Sequence, residues 1–216
     1  MAHCAAMARW VRVAGAAALG YAIGSVPVGV LVGRLSRGID VREHGSHSMG
    51  MTNVLRTAGR GPAAVTLGLD ISKGAVAAKV GALLGGPELA AAAGLGAVVG
   101  HSWPAFARFR GGKSSATTFG AALVVCPEAA AAALVIGVGA LALSRRMSVL
   151  SLCGGAAGVV TAVGLSVRRR DLVPFAFVAP AVAVVIVRHR ENIDRLLKGK
   201  EPPTIPAEDG TTTATG

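Results

Sequence analysis

The sequence predicts an all-α, polytopic integral membrane protein with about seven transmembrane helices, its N-terminus outside and its C-terminus cytoplasmic. Composition carries the first part of that case. Of 216 residues, 52% are hydrophobic and 15% charged, against roughly 25% charged in soluble domains. Aromatic residues reach only 4% while Ala, Gly, Val and Leu dominate, which suits helices that approach one another through small side chains in lipid. The second part is distribution: apolar runs alternate with short basic segments, and a helix needs about 20 apolar residues to cross the hydrocarbon.

Taken in order, the apolar windows fall at 13–33, 61–84, 88–103, 115–127, 128–144, 148–167 and 171–187. Arg9 and Arg12 before the first run imitate a secretory signal, but Val13 to Val32 offers no clear small-residue cleavage site, so this run reads as a retained span. Thr117 to Ser144 reads either as one long helix or as two short ones hinged at Pro127 and Glu128. Within the second window Asp70 lies three positions before Lys73, which puts both on one helical face as a buried pair. The window set makes residues 1–200 a single membrane domain. From Glu201 the polar sequence E-P-P-T-I-P-A-E-D-G-T-T-T-A-T-G has no apolar period and is expected to form a disordered polar tail over 201–216.

Positive residues collect on the cytoplasmic side of short loops. Seven spans with an outside N-terminus put 15 basic residues inside and five outside, whereas six spans give 11 and nine, so seven fit better. Arg168 to Arg170 and the pair Arg9 and Arg12 run against this pattern. The net charge of +11 raises the question of nucleic acid, but the Lys and Arg residues sit between apolar runs as topology signals, so no nucleic-acid partner is implied. Cys4, Cys126 and Cys153 form no C-x-x-C pair and indicate neither a zinc site nor a disulfide framework. No metal or organic cofactor is called for.

Three basic segments carry candidate chemistry. In G-I-D-V-R-E-H-G-S-H-S-M-G-M-T-N-V-L-R-T-A-G-R, Gly38 to Arg60, small residues and hydroxyls between Arg42 and Arg56 can bring backbone N–H groups, hydroxyls and guanidinium onto a phosphate. A solvated topogenic loop explains the same segment equally well. In the second, Gly100 to Thr118, Gly111 and Gly112 allow close backbone approach to an anion, Lys113 supplies charge, and Ser114 or Ser115 opens a helix whose N-terminus favours phosphate. Gly112, Lys113 and Ser114 look like the end of a nucleotide-binding loop, but Ala107 stands where that motif requires glycine. The third, R-H-R-E-N-I-D-R-L-L-K-G-K-E from Arg188, places His189 and Asn192 at a basic membrane face where acid-base or hydrogen-bonding work is feasible. Arg188 and Arg190 read there as interfacial anchors. A weaker element is Ser148 with Ser151 at the start of the sixth window.

These blocks resemble the bacterial integral-membrane glycerol-3-phosphate acyltransferases of the PlsY type, which use acyl phosphate as donor. The resemblance runs through Y-A-I-G-S-V-P-V-G (Tyr21 to Gly29), the loop ending at Arg56, L-D-I-S-K-G (Leu69 to Gly74), G-H-S-W-P to G-G-K, and H-R-E-N-I (His189 to Ile193). It implies a multi-pass protein of the bacterial plasma membrane with seven spans, glycerol 3-phosphate and acyl phosphate as substrates, and a functional link to an acyl-phosphate-producing enzyme. It further implies an active site of Ser46, His189 and Asn192 as catalytic residues, with Thr52, Arg56, Gly111, Gly112, Lys113 and Ser148 binding substrate phosphate. Glu191 looks like the family's structural glutamate. The family usually reads G-S-G-N-x-G-A-T-N in the first loop and G-G-K-G in the second. This chain instead has His47, Ser48, Met51 and Ser114 at four of those places. Those departures leave open a paralogue with another acceptor, or one that binds lipid without catalysis; an organophosphate transporter is a third reading, though the halves show no repeat.

Overall fold

A computed structural model describes residues 2–204, with side chains from Ala6 onward. It is helical throughout, with no strand among the described residues. The first helix, α1 (Ala2–Gly24), ends before Pro27, and α2 (Val28–Arg37) resumes the same apolar run. Proline lacks an N–H and disfavours helix in the residue before it, so the window expected as one span at 13–33 is interrupted. Gly38, left-handed at φ 69°, stops α2.

A turn at Val41–Glu43 leads to the short α3 (Met51–Ala58), then α4 (Arg60–Gly85), which meets α5 (Pro87–Ser102) in a tight corner at Gly86. After a loop come α6 (Ser115–Val125) and α7 (Pro127–Ser144), so Pro127 divides the ambiguous stretch into two helices. The chain closes with α8 (Met147–Arg169), α9 (Val173–Arg188) and α10 (Arg190–Leu197). Among the described residues, four stretches are long and apolar enough to cross a membrane by themselves: Ala6–Arg37, Pro87–Ala107, Pro127–Ser144 and Met147–Arg169. A fifth is the pair α9 and α10, bent by 64°. The helix α4 has the length, 26 residues, but carries Asp70, Lys73 and Lys79. The helix α6 has 11 residues, about 16 Å at 1.5 Å per residue, roughly half the hydrocarbon thickness.

Small residues set the packing. A side chain on Gly20 or Gly24 would strike the backbone of Ala93 or Ala97, and one on Gly96 that of Ala17, so α1 and α5 lie nearly backbone to backbone. Gly74 and Gly120 do the same for α4 and α6, meeting Thr117 and Ile71. The start of α6 therefore stands beside the middle of α4, which sinks the preceding loop well below the bundle's end. Phe177, fully buried, plugs the centre among Ala78, Val98, Ala121 and Ala181.

The basic segments gather at one end of this bundle: Arg42 reaches the Ala107 carbonyl at 2.9 Å, Arg188 that of Gly112, and Arg146 that of Glu201. At the opposite end Arg9 pairs with Glu88 and Arg169 with Glu128, which gives Arg9 and one of the Arg168 to Arg170 run ion partners that counting charges does not supply. The first residues of the expected tail, 201–204, are placed against the bundle. Glu201 is only 7% exposed, and Thr204 hydrogen-bonds the Arg145 carbonyl through its N–H; residues 205–216 lie outside the described ones.

Candidate active site

One cavity of about 330 Å³ opens among the loops at the basic end and continues between helices. Seven of the nine candidate residues line it: Ser46, Thr52, Arg56, Lys113, Ser148, His189 and Asn192. Gly111 and Gly112 are buried behind it, where a side chain on either would run into His101.

The first loop is shaped by Asn53, 1% exposed. Its amide donates to the carbonyls of Val41 (2.6 Å), Ser48 (2.8 Å) and His44 (3.1 Å), and its oxygen accepts from the Ser46 N–H at 2.8 Å. A single side chain thus gathers four backbone groups of a loop whose own regular bonding is limited to the turn at Val41–Glu43 and its neighbour at His47. Arg42, a candidate phosphate ligand on sequence grounds, is committed elsewhere: it makes 2.9 and 2.7 Å bonds to the two oxygens of Asp40 and holds the Ala107 carbonyl. The Arg42 bond keeps the Asp40 carboxyl down at about 2. Arg42 is therefore a brace between the two loops. Arg56 lines the cavity with no carboxylate partner among the described residues, which leaves its charge for an incoming anion.

The second loop is clamped from two sides. Arg188 donates to the carbonyls of Gly112 (2.9 Å) and Gly111 (3.2 Å) while its guanidinium lies over the Trp103 ring at 5.6 Å, so it does more than anchor a helix end. The Gly112 N–H donates to the His101 carbonyl at 3.0 Å. Lys113 then reaches Asn192, Nζ to Oδ1 2.5 Å. Burial lowers the Lys113 pKa, opposed by the Glu201 charge nearby.

In the third segment, Asn192 passes the contact on, Nδ2 to Glu201 Oε1 at 2.6 Å. The same oxygen accepts from Ser148 at 2.8 Å, and Oε2 accepts from Arg195 at 2.6 Å. Burial pushes the Glu201 carboxyl up, but the bonds from Asn192, Arg195 and Ser148 outweigh it and hold it below the usual glutamate value. Glu191, in contrast, is exposed; the glutamate that ties this segment together is Glu201, hidden in sequence within a Pro-rich polar stretch. His189 Nδ1 donates to the Val185 carbonyl at 2.8 Å, since a carbonyl can only accept, so the proton is on Nδ1. Burial lowers its pKa to about 4, leaving Nε2 unprotonated at neutral pH.

The two departures in the glycine pattern have a backbone signature. His47 and Ser114 both adopt left-handed φ, 54° and 63°, the conformation glycine takes without strain. Ser114 compensates by donating to the Val98 carbonyl at 2.8 Å and accepting from Ser102. His47 bonds the Arg42 carbonyl at 3.0 Å.

Beyond the polar end the cavity is walled by Ala129, Ala133, Leu134, Gly154, Val178 and Val182, an apolar slot between α7, α8 and α9. Fold and site together define a polytopic helical membrane protein with a recessed cavity, basic and hydroxyl-lined at one end and apolar at the other. Residues 14–199 match the family model for glycerol-3-phosphate acyltransferase, and the chain belongs to that family, as an integral-membrane member of the PlsY type. It is 43% identical over 197 residues to a glycerol-3-phosphate acyltransferase of Synechococcus sp. (strain JA-3-3Ab), covering 91% of this chain and 95% of that one. Over 200 residues it is 45% identical to one from Gloeobacter violaceus, with 89% and 95% covered. Two crystal structures of PlsY (YgiH), an integral membrane glycerol 3-phosphate acyltransferase, superpose with TM-scores of 0.80 (the glycerol 3-phosphate form) and 0.79 (the lysophosphatidic acid form). Each is 30% identical, covering 88% of this chain and 94% of its own.

Proposed function

We propose that this acyltransferase moves an acyl group from acyl phosphate to the sn-1 hydroxyl of glycerol 3-phosphate, giving lysophosphatidic acid at the cytoplasmic face of a bacterial plasma membrane. The observation that carries this reading is the continuity of the cavity: a basic end of phosphate-sized polar contacts leads without a partition into an apolar slot. An amphiphile with an anionic head and a fatty chain fits both parts at once.

In this scheme Lys113 and Arg56 hold phosphate through charge-assisted bonds, with Ser46, Thr52 and the amides around Gly111 and Gly112 orienting it. The acceptor oxygen forms an ester bond to the acyl carbon, the acyl C–O bond to phosphate breaks, and the hydroxyl proton leaves on the departing phosphate. The balance needs no metal or cofactor. His189, neutral with an unprotonated Nε2, accepts a hydrogen bond from the attacking hydroxyl and aims it; with a pKa of about 4 it is a weak base, so the phosphate oxygen is the better proton acceptor. Asn192 and Ser148, ordered by Glu201, complete the wall. Direct transfer is favoured over an acyl-enzyme because the Ser46 hydroxyl has no side-chain base bonded to it among the described residues, and the carboxylate on Ser148, Glu201, is held in its ionised form by Asn192 and Arg195 and is a weak base. The donor requires an acyl-phosphate-producing enzyme in the same cell. Seven crossings with the loops inside fit the charge distribution.

The test is to incubate purified protein in detergent with labelled glycerol 3-phosphate and, in turn, acyl phosphate, acyl-coenzyme A and acyl carrier protein thioester. Labelled lysophosphatidic acid is expected with acyl phosphate alone, and its loss in Lys113→Ala. Turnover with a thioester donor but not with acyl phosphate overturns the donor assignment; phosphorylated label trapped without product favours a non-catalytic binder.

A further inference from the structure

Three buried ionisable groups have no part in the scheme above. Asp70 in α4 is 2% exposed, Lys73 one turn on is 7%, and His101 at the end of α5 is 3%. They converge on one oxygen: Asp70 Oδ1 lies 2.9 Å from Lys73 Nζ and 3.3 Å from His101 Nδ1. Lys73 also donates to the Val26 carbonyl at 3.1 Å, which accepts the Val28 N–H as well in the turn where Pro27 interrupts the first apolar run. A bare buried charge is costly and a paired one is worth little as a source of stability, so a reason for the cluster is found at its other end. The His101 imidazole points its Nε2 edge at Gly112, close enough that a side chain there would meet Nε2, while the His101 carbonyl holds the Gly112 N–H. Lys113 follows directly, and both Asp70 and His101 line the cavity.

We propose that His101 is a positioning residue for the acceptor's phosphate: it sets the height of Gly112 and Lys113, and Asp70, fixed through Lys73 to the Val26 carbonyl, sets His101. The inference rests on the reading that the loop around Lys113 holds glycerol 3-phosphate. The path runs from the break between α1 and α2, across α4, to the base of that loop. Arg188 presses the same loop from the other side through the Gly111 and Gly112 carbonyls, so the imidazole is the floor of a clamp. Misplacement of a binding group by about 1 Å costs up to 100-fold in rate terms.

The test is steady-state kinetics on full-length protein in detergent, with thermal unfolding recorded for each variant. His101→Asn is expected to raise KM for glycerol 3-phosphate about tenfold, while kcat and KM for acyl phosphate move less than threefold. His101→Gln, whose amide reaches the Gly112 side, is expected to recover part of the loss. Asp70→Asn should give an intermediate rise, and the double variant Asp70→Asn with His101→Asn should be no worse than His101→Asn alone, because both act along one path. Equal loss through kcat and both KM values, accompanied by a fall in unfolding temperature, overturns the proposal in favour of a purely structural cluster. Lys113→Ala separates the two levels: if it raises KM for glycerol 3-phosphate and the His101 variants do not, only this inference falls; if it leaves that KM unchanged, the underlying reading of the loop falls. Should His101→Asn fail to fold, the Gln and Asp70→Asn variants decide by the same split.

Discussion

Lys113 and Asn192 are separated by 79 positions and meet with Nζ 2.5 Å from Oδ1. The contact joins the loop before α6 to the start of α10, and it is one link in a chain that continues from Asn192 to Glu201 and on to Ser148 and Arg195. Replacing Asn192 by Leu keeps the volume but removes both faces of the amide. Lys113 then loses its fixed direction, and Glu201 loses one of three donors while buried. An unsatisfied buried partner of this kind costs about 1–3 kcal/mol. The expected outcome is an activity loss of roughly 100-fold, with a smaller fall in unfolding temperature, measured in one detergent preparation. Wild-type activity in Asn192→Leu would remove the amide from the working site.

Two buried groups should make stability fall on acidification, in separate windows. His189 has a pKa held at about 4 by burial, below the ordinary 6.5, so below 6.5 the unfolded chain takes up a proton that the folded one refuses. Its contribution is fully present above 6.5 and is lost as pH drops from 6.5 towards 4, at up to about 1.4 kcal/mol per pH unit. Glu201 is also depressed, below 4.5, so its contribution is present above 4.5 and is lost only as pH falls through its lower folded value. Unfolding temperature recorded from pH 7 to 5 should therefore decline in the wild type and decline less in His189→Gln, whereas Glu201→Gln should leave that window alone. An identical slope in wild type and His189→Gln would mean that His189 is already charged in the folded protein.

Much of the architecture is legible in the sequence because apolar run length and basic loop segments are local quantities. The ion pair of Asp70 and Lys73 is legible for the same reason, since three positions on a helix fix a shared face. What escapes is whatever depends on contacts far apart in the chain. Glu201 sits in a run of Pro, Thr and acidic residues that reads as a tail, and only its approach to Ser148, 53 positions away, makes it part of the site. Arg188 has the position of an interfacial anchor, and its bonds to Gly111 and Gly112 depend on how α5 and α9 pack. Pro27 was visible, but the apolar run on both sides conceals that the helix breaks there.

The substituted glycine positions give a prediction about sign. His47 is exposed at φ 54°, with one side-chain bond to the Arg42 carbonyl. Left-handed backbone costs a non-glycine residue about 1–2 kcal/mol, more than an exposed hydrogen bond of about 0.5–1.5 kcal/mol contributes on average. His47→Gly should raise the unfolding temperature slightly. Ser114 is different, because its buried hydroxyl satisfies the Val98 carbonyl. Ser114→Ala keeps the φ of 63° and loses the bond, so it should be less stable than Ser114→Gly, which loses the bond but relieves the backbone. The reverse order would show that the helix start tolerates the left-handed turn without strain.

Asn53 is the residue whose loss should most clearly separate loop order from helix order. It ends the block that resembles the family's first-loop pattern, and its chemistry is hard to see in sequence because one asparagine among Ser, Thr and Gly looks like any loop residue. In the structure its side chain holds the Val41, His44 and Ser48 carbonyls and the Ser46 N–H. Only the Val41 and His44 carbonyls have a second partner, the His44 and His47 N–H groups at 3.4 and 3.2 Å. The two amide N–H groups are shared among three carbonyls and the oxygen accepts once, so at about 0.5–1.5 kcal/mol per bond Asn53→Ala removes about 1.5–4.5 kcal/mol from the loop. The loop is braced at its base by Arg42 and Asp40 and continues directly into α3, so the loss should appear as local opening more than as collapse of the helical bundle. Hydrogen exchange should rise over residues 41–50 and stay unchanged in α4 to α9. KM for glycerol 3-phosphate should rise with it, because Ser46 and Thr52 then spend most of their time away from the cavity. Unchanged exchange in that loop would mean that Arg42 and the packing of Val41 and Met49 hold it without the amide.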